Sequence, residues 1–104
     1  MNEPLSTDID LVDVHYYSNN DENAFFDWLK KMNFVTKIHG HINILTITVK
    51  NDLDEYDLRD LMALFYRYRI DMRSLVKFDR LDFHKWLHNK TAFWYSEMFG
   101  SDGA

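Results

Sequence analysis

Two pairs of histidines and two runs of carboxylates are the residues best placed to do chemistry. His39 and His41 stand two apart, flanking Gly40, and His84 and His88 stand four apart, neighbours on one face of a helix. Neutral imidazoles bind zinc. If the first pair met the second, four could close a structural site, or three could hold the metal and leave a position for water. The residues between His84 and His88 are Lys85, Trp86 and Leu87, so the Glu of the zinc-protease signature is missing. The carboxylates are Asp8, Asp10 and Asp13, then Asp52, Asp54, Glu55 and Asp57. Acid–base catalysis needs carboxyls whose surroundings push their pKa values apart inside a cleft. These acids instead fall at turns and at a helix start, where the helix dipole and solubility account for them. Asp52-x-Asp54 also lacks the later Gly and closing Glu of a calcium loop.

Other catalytic signatures fail. Three glycines leave no phosphate-cradling loop and no Gly-x-Ser-x-Gly, and the absence of cysteine removes thiol nucleophiles, thiolate metal sites and disulfides together. The expectation is therefore a non-enzymatic chain without a cofactor, with a metal-binding domain or small metal-dependent enzyme built on His39, His41, His84 and His88 as the alternative.

The elements that must position these residues follow from periodicity. Residues 8–17 read as a strand from the partial alternation of Ile9, Leu11, Val14 and Tyr16, with an irregularity at Leu11-Val12. Ser18 to Asp21 supply a turn and a helix cap, and residues 22–32 place Phe25, Trp28, Leu29 and Met32 on one helical stripe. Residues 34–38 and 42–50 read as a hairpin turning at His39-Gly40-His41. Apolar residues on both faces of the second strand point to a central strand covered on both sides, or to a shift of register. Asn51-Asp52 opens the longest helix, 53–69, with acids at its start and Arg67 and Arg69 at its end. Shorter helices follow at 72–78, 81–88 and 91–99. The expected fold is α+β: a small, mainly antiparallel three-stranded sheet in the order β-α-β-β, followed by three or four helices. One domain spans residues 1–100, with 101–104 as a flexible tail.

Hydrophobic residues make up 46% of the 104 and aromatic ones 16%, enough to build one core. Met1 to Asp8 show no basic or apolar leader, and no stretch approaches the roughly 20 apolar residues of a membrane span. With no cysteine, this points to the cytoplasm and away from membranes.

The net charge of −5 is unevenly distributed. Residues 1–57 hold eleven acids and four bases, a net of −7; residues 58–104 hold six acids and eight bases, a net of +2. An acidic first half repels phosphate backbones and attracts a basic protein. Asp10, Asp13, Asp52, Asp54, Glu55 and Asp57, with Tyr56 beside them and Tyr16 and Tyr17 as further aromatic anchors, are the expected partner-binding residues. The basic and aromatic stretch Tyr66-Arg67-Tyr68-Arg69, with Arg73, Lys77, Arg80, Lys85 and Lys90, is interleaved with Asp71, Asp79 and Asp82. It reads as a salt-bridged, solvated face rather than a nucleic-acid surface. Monomer and homodimer are both open. In a homodimer the acidic half of one copy would meet the basic half of another.

Residues 66–72, followed by Trp86, Trp94-Tyr95 and Phe99-Gly100, resemble the ending of a group of short uncharacterised bacterial proteins. In size, acidity and aromatic content the whole chain is similar to bacterial immunity proteins, which protect a cell by binding a toxin. That similarity implies a protein that neutralises a basic toxin, such as a nuclease, by blocking its cleft.

Overall fold

The computed structural model describes residues 5–100, so the expected tail at 101–104 lies outside the described residues. The chain runs β1 (Ser6–Val12), α1 (Asn19–Lys30), β2 (Val35–His41), β3 (Ile44–Lys50) and α2 (Glu55–Arg67). A 3-10 helix (Arg73–Phe78), a 3-10 turn (Leu81–Phe83), α3 (His84–Leu87) and α4 (Tyr95–Phe99) complete it. The sheet is antiparallel throughout, in the order β1-β3-β2. The fold is α+β, as expected.

Alternation along the strands gives the sheet two unlike faces. Ile9, Leu11, Ile47 and Val49 point inward and join Phe25, Leu29, Leu58, Leu61 and Phe65 in one buried cluster. On the outer face β1 contributes Asp8, Asp10 and Val12, β3 contributes Thr48, Thr46 and Ile44, and β2 contributes Lys37, His39 and His41. β3 is indeed central, but only its inner face reaches the buried core; outside, the side chains that flank it on β1 and β2 are exposed. The register irregularity lies in β2, where Thr36 is the extra residue between Val35↔Val49 and Lys37↔Thr48.

Two boundaries differ from expectation. β1 ends at Val12, and Asp13 turns into the left-handed region at φ 55 while its N–H donates to Asn43 O at 2.9 Å. The ladder closes there. The hairpin does not turn at Gly40: His39, Gly40 and His41 pair with Thr46, Leu45 and Ile44, leaving Ile42-Asn43 as a two-residue loop. Ile42 takes φ 54, where glycine is the ordinary choice, and is 92% exposed. Asn43 fastens that loop to β1, its Nδ2 donating to Asp13 Oδ1 at 2.8 Å.

Ser18 caps α1 from within the expected turn, whereas α2 starts two residues later than expected, capped by Asp54 and not by Asn51-Asp52. Ser18 Oγ accepts from Asp21 N at 3.1 Å ahead of α1. Asp54 and Asp57 form a reciprocal capping box at the start of α2, with bonds of 2.9 and 3.1 Å. Trp28 Nε1 donates to Asp60 Oδ1 at 2.9 Å and joins α1 to α2.

Beyond α2 regular helix breaks up. Arg69, at φ 56, ends its last turn. The expected helix at 72–78 is a 3-10 helix, and of 91–99 only Tyr95–Phe99 is helical. Asn89 Oδ1 accepts from Thr91 N at 3.0 Å and makes a turn there, and the Trp94 indole N–H donates to Leu87 O at 2.8 Å, tying the next segment to α3. Phe93 turns out to stack edge-on against Tyr66 with ring centres 4.7 Å apart.

Candidate functional site

The open sheet face sets acidic residues of β1 across from Lys37, His39 and His41 of β2. Successive rows across the strands are Asp8–Thr48–Lys37, Asp10–Thr46–His39 and Val12–Ile44–His41. Thr46 and Thr48 hydroxyls donate to Asp10 Oδ1 and Asp8 Oδ1 at 2.6 and 2.7 Å, leaving the other carboxylate oxygens free of these bonds. Threonines down the middle therefore hold two aspartates in place on β1, an edge strand of the sheet among the described residues. Acid lies along one edge and base along the other.

The carboxylates expected at a partner surface form two groups. Asp10, with Asp8, lies within β1, and Asp13 just past its end. Asp52, Asp54, Glu55, Tyr56 and Asp57 gather at the opposite end, because Asn51 N donates to Leu5 O at 2.9 Å beside the start of β1. At about 3.3 Å per residue the two ends of the acidic zone lie roughly 20–25 Å apart. Within the second group Asp54 and Asp57 cap α2, and Glu55 receives Arg59 Nε at 2.8 Å. Capping bonds do not neutralise a carboxylate, so among the described residues Glu55 is the one of these paired with a cation. Asp52 and Asp54 are exposed, and Tyr56 is 81% exposed beside them. The two other tyrosines part company. Tyr17 is 78% exposed, whereas Tyr16 packs against Phe25 and Tyr68. Burial first, then the nearby Glu22 carboxylate, raises the Tyr16 phenol above its ordinary pKa. Tyr16 is packing, not a surface anchor.

Two arginines of the second half pair with acids two residues away, as the interleaved acids lead one to expect. Arg73 holds Asp71 at 2.6 Å and Arg80 holds Asp82 at 3.1 Å. The Arg73 guanidinium and backbone N–H bring the Asp71 pKa down from 3.8 to about 2. A groove of about 1040 Å³ between the end of α2 and α4 is walled by Tyr66, Arg67, Arg69, Phe93 and Glu97, a mixed lining without one dominant sign.

The four histidines do not assemble. His39 and His41 lie on the outer sheet face in β2, with His84 and His88 on α3 and its C-cap. Among the described residues, the potential ligand atoms that converge are those of Asp79, His84 and His88, all within 4.8 Å of one another. Asp79 is the functional candidate that spacing missed. It stands in the bend that follows the 3-10 helix, and only that bend returns its carboxylate to the histidine face. The signal was an acid five residues before a His-x3-His pair. Comparison with protein-family models, with curated proteins and with solved structures finds no match to this chain.

Proposed function

We propose that this chain is a non-enzymatic binding protein for a basic protein partner, acting in the cytoplasm as an immunity protein that blocks a toxin's cleft. The observation that carries the reading is the edge strand β1, whose Asp8 and Asp10 are held in place by Thr48 and Thr46 on a sheet face uncovered among the described residues. Charges on an edge strand discourage self-association; the same charges steer a cationic partner toward it. Asp10 and Asp13 form one end of the contact, and Asp52, Asp54, Glu55, Tyr56 and Asp57 the other. A standard interface covers about 800 Å² per partner, a patch roughly 30 Å across, so one protein can span both groups. That no helix of the described residues is long and apolar enough to cross a membrane fits this placement.

The test is charge reversal that spares the helix cap: Asp10→Lys, Asp13→Lys and Asp52→Lys together. The partner is captured from host extract at low salt and identified, and its own activity is then titrated with the chain. The expected result is a basic protein whose activity the native chain abolishes. In the triple variant the association rate and its salt dependence both fall. Unchanged rate and salt dependence would remove this face as the site, and a partner without net positive charge would remove the electrostatic reading.

A further inference from the structure

We propose that Asp79, His84 and His88 form a binding site for one divalent transition-metal ion, with zinc as the best fit. Asp79 presents its two oxygens to two imidazoles: Oδ1 lies 3.3 Å from His84 Nε2, and Oδ2 lies 2.9 Å from His88 Nε2. Zinc bonds nitrogen and carboxylate oxygen at roughly 2.0–2.2 Å, and tetrahedral angles then set neighbouring ligand atoms about 3.3–3.4 Å apart. The two contacts with Asp79 are within about half an ångström of that spacing, and the ligand atoms of all three lie within 4.8 Å of one another.

Two pieces of the fold position the ligands. His84 and His88 are one turn apart, and the His88 N–H closes that turn on His84 O at 3.1 Å. The Asp79 N–H is bonded to Val76 O at 2.9 Å, and its side chain is only 18% exposed. His88 lies flat against Phe99, ring centres 4.6 Å apart and 23° between planes, so α4 sets the tilt of that imidazole. Both histidines offer the same nitrogen, Nε2, toward one point. Two imidazoles and one carboxylate select zinc, copper, nickel or cobalt over magnesium and calcium, which prefer all-oxygen sites. Three protein ligands leave a fourth position, and the half-exposed His84 opens it to solvent or to an incoming group.

The site shares no residue with the acidic surface, so either proposal can fail alone. An ion here joins the bend after the 3-10 helix to α3 and, through Phe99, to α4. Neither the 3-10 helix, α3 nor α4 has a side-chain cap at its start, so metal affinity is linked to the stability of this corner.

The experiment uses the full chain without a histidine tag, stripped with chelator and titrated calorimetrically with zinc and, separately, with magnesium. One equivalent of zinc is expected to bind, magnesium not at all, and the unfolding midpoint to rise with zinc and fall back on adding chelator. Cobalt in the same site should show the visible absorption of a four-coordinate ion. His84→Ala and His88→Ala should each weaken zinc at least about tenfold, since loss of a mere outer-shell partner costs roughly 10–100-fold. Asp79→Asn should do the same, and because His84 is exposed, its variant decides the matter if Asp79→Asn unfolds. His39→Ala with His41→Ala should leave binding unchanged. The proposal is overturned if the native chain takes up no saturable zinc. It is equally overturned if uptake survives His84→Ala and His88→Ala, or disappears with the two β2 histidines.

Discussion

The sheet with its two long helices and the short-helix region after Arg69 are held together by different means. In the first, seven residues of β1 pair with seven of β3 in unbroken register, and both long helices start on side-chain caps. In the second, backbone order comes in pieces of three to six residues, and side chains take over. Trp86 and Trp94 pack edge to face with ring centres 5.7 Å apart, and the Arg59 guanidinium lies 4.4 Å from the Trp86 centre and 5.4 Å from that of Trp94. α2 serves both regions, its Asp60 holding Trp28 and its Arg59 covering the two tryptophans. The lesson is that a region poor in backbone ladder can still be specific when aromatic residues fix the path of the chain, at the cost of depending on a few of them.

That dependence gives the largest expected effect. Trp94→Ala removes a buried indole and leaves the Leu87 carbonyl without its donor, a loss of about 3–5 kcal/mol. Native-state hydrogen exchange sharpens the comparison. The amides of Ala92 and Met98 should lose protection in the variant while that of Ile47, in the central strand, keeps most of its own. Equal loss at all three would show one cooperative unit and break the division.

A smaller effect tests the other region. Asp54→Ala removes the cap of α2, with an expected cost of about 1 kcal/mol. Asp54→Ser should restore most of it, read from denaturant midpoints at unchanged slope. If alanine and serine behave alike, the capping box contributes nothing and the start of α2 is held by Leu53 and Leu58 alone.

The same contrast explains what was legible in the sequence. α1 and α2 were readable because stripe and dipole agree, Phe25 and Leu29 in one, Leu58 and Leu61 in the other, although the cap of α2 is Asp54 and not the expected Asn51-Asp52. The central place of β3 was one of two readings of its apolar faces, and the cover expected on both sides is present on the inner face alone. The hairpin turn was not, because Gly40 draws the eye while Ile42, β-branched, takes the positive φ two residues on. Helix 91–99 was overread because the spacing of Trp94 and Met98 is helical in fact, but only from that turn onward, while residues 91–94 form turns. Of the candidate site, the acids of β1 could be named, but their separation from the α2 group depends on where Asn51 meets Leu5, a long-range contact. Asp79 escaped for the same reason. Spacing along the chain describes a ligand pair on one helix turn and says nothing of a carboxylate brought back by a 3-10 bend.

The smallest effect separates surface pairing from packing within the second region. Asp71 has its pKa lowered from 3.8 to about 2 by Arg73, so its carboxylate is more acidic in the folded chain than in the unfolded one. A depressed folded pKa contributes stability that is fully present above the unfolded value near 4 and is lost as pH falls toward 2. Both side chains are more than half exposed, so water and salt screen the pair and its share is small. Asp71→Asn should therefore lower stability slightly at neutral pH, and that difference from the native chain should vanish as pH falls from about 4 to about 2 and be smaller in high salt. A loss at neutral pH comparable to that of Asp54→Ala would mean that the Asp71–Arg73 pair holds the chain between α2 and the 3-10 helix. The second region would then rest on ion pairs as well as on its tryptophans.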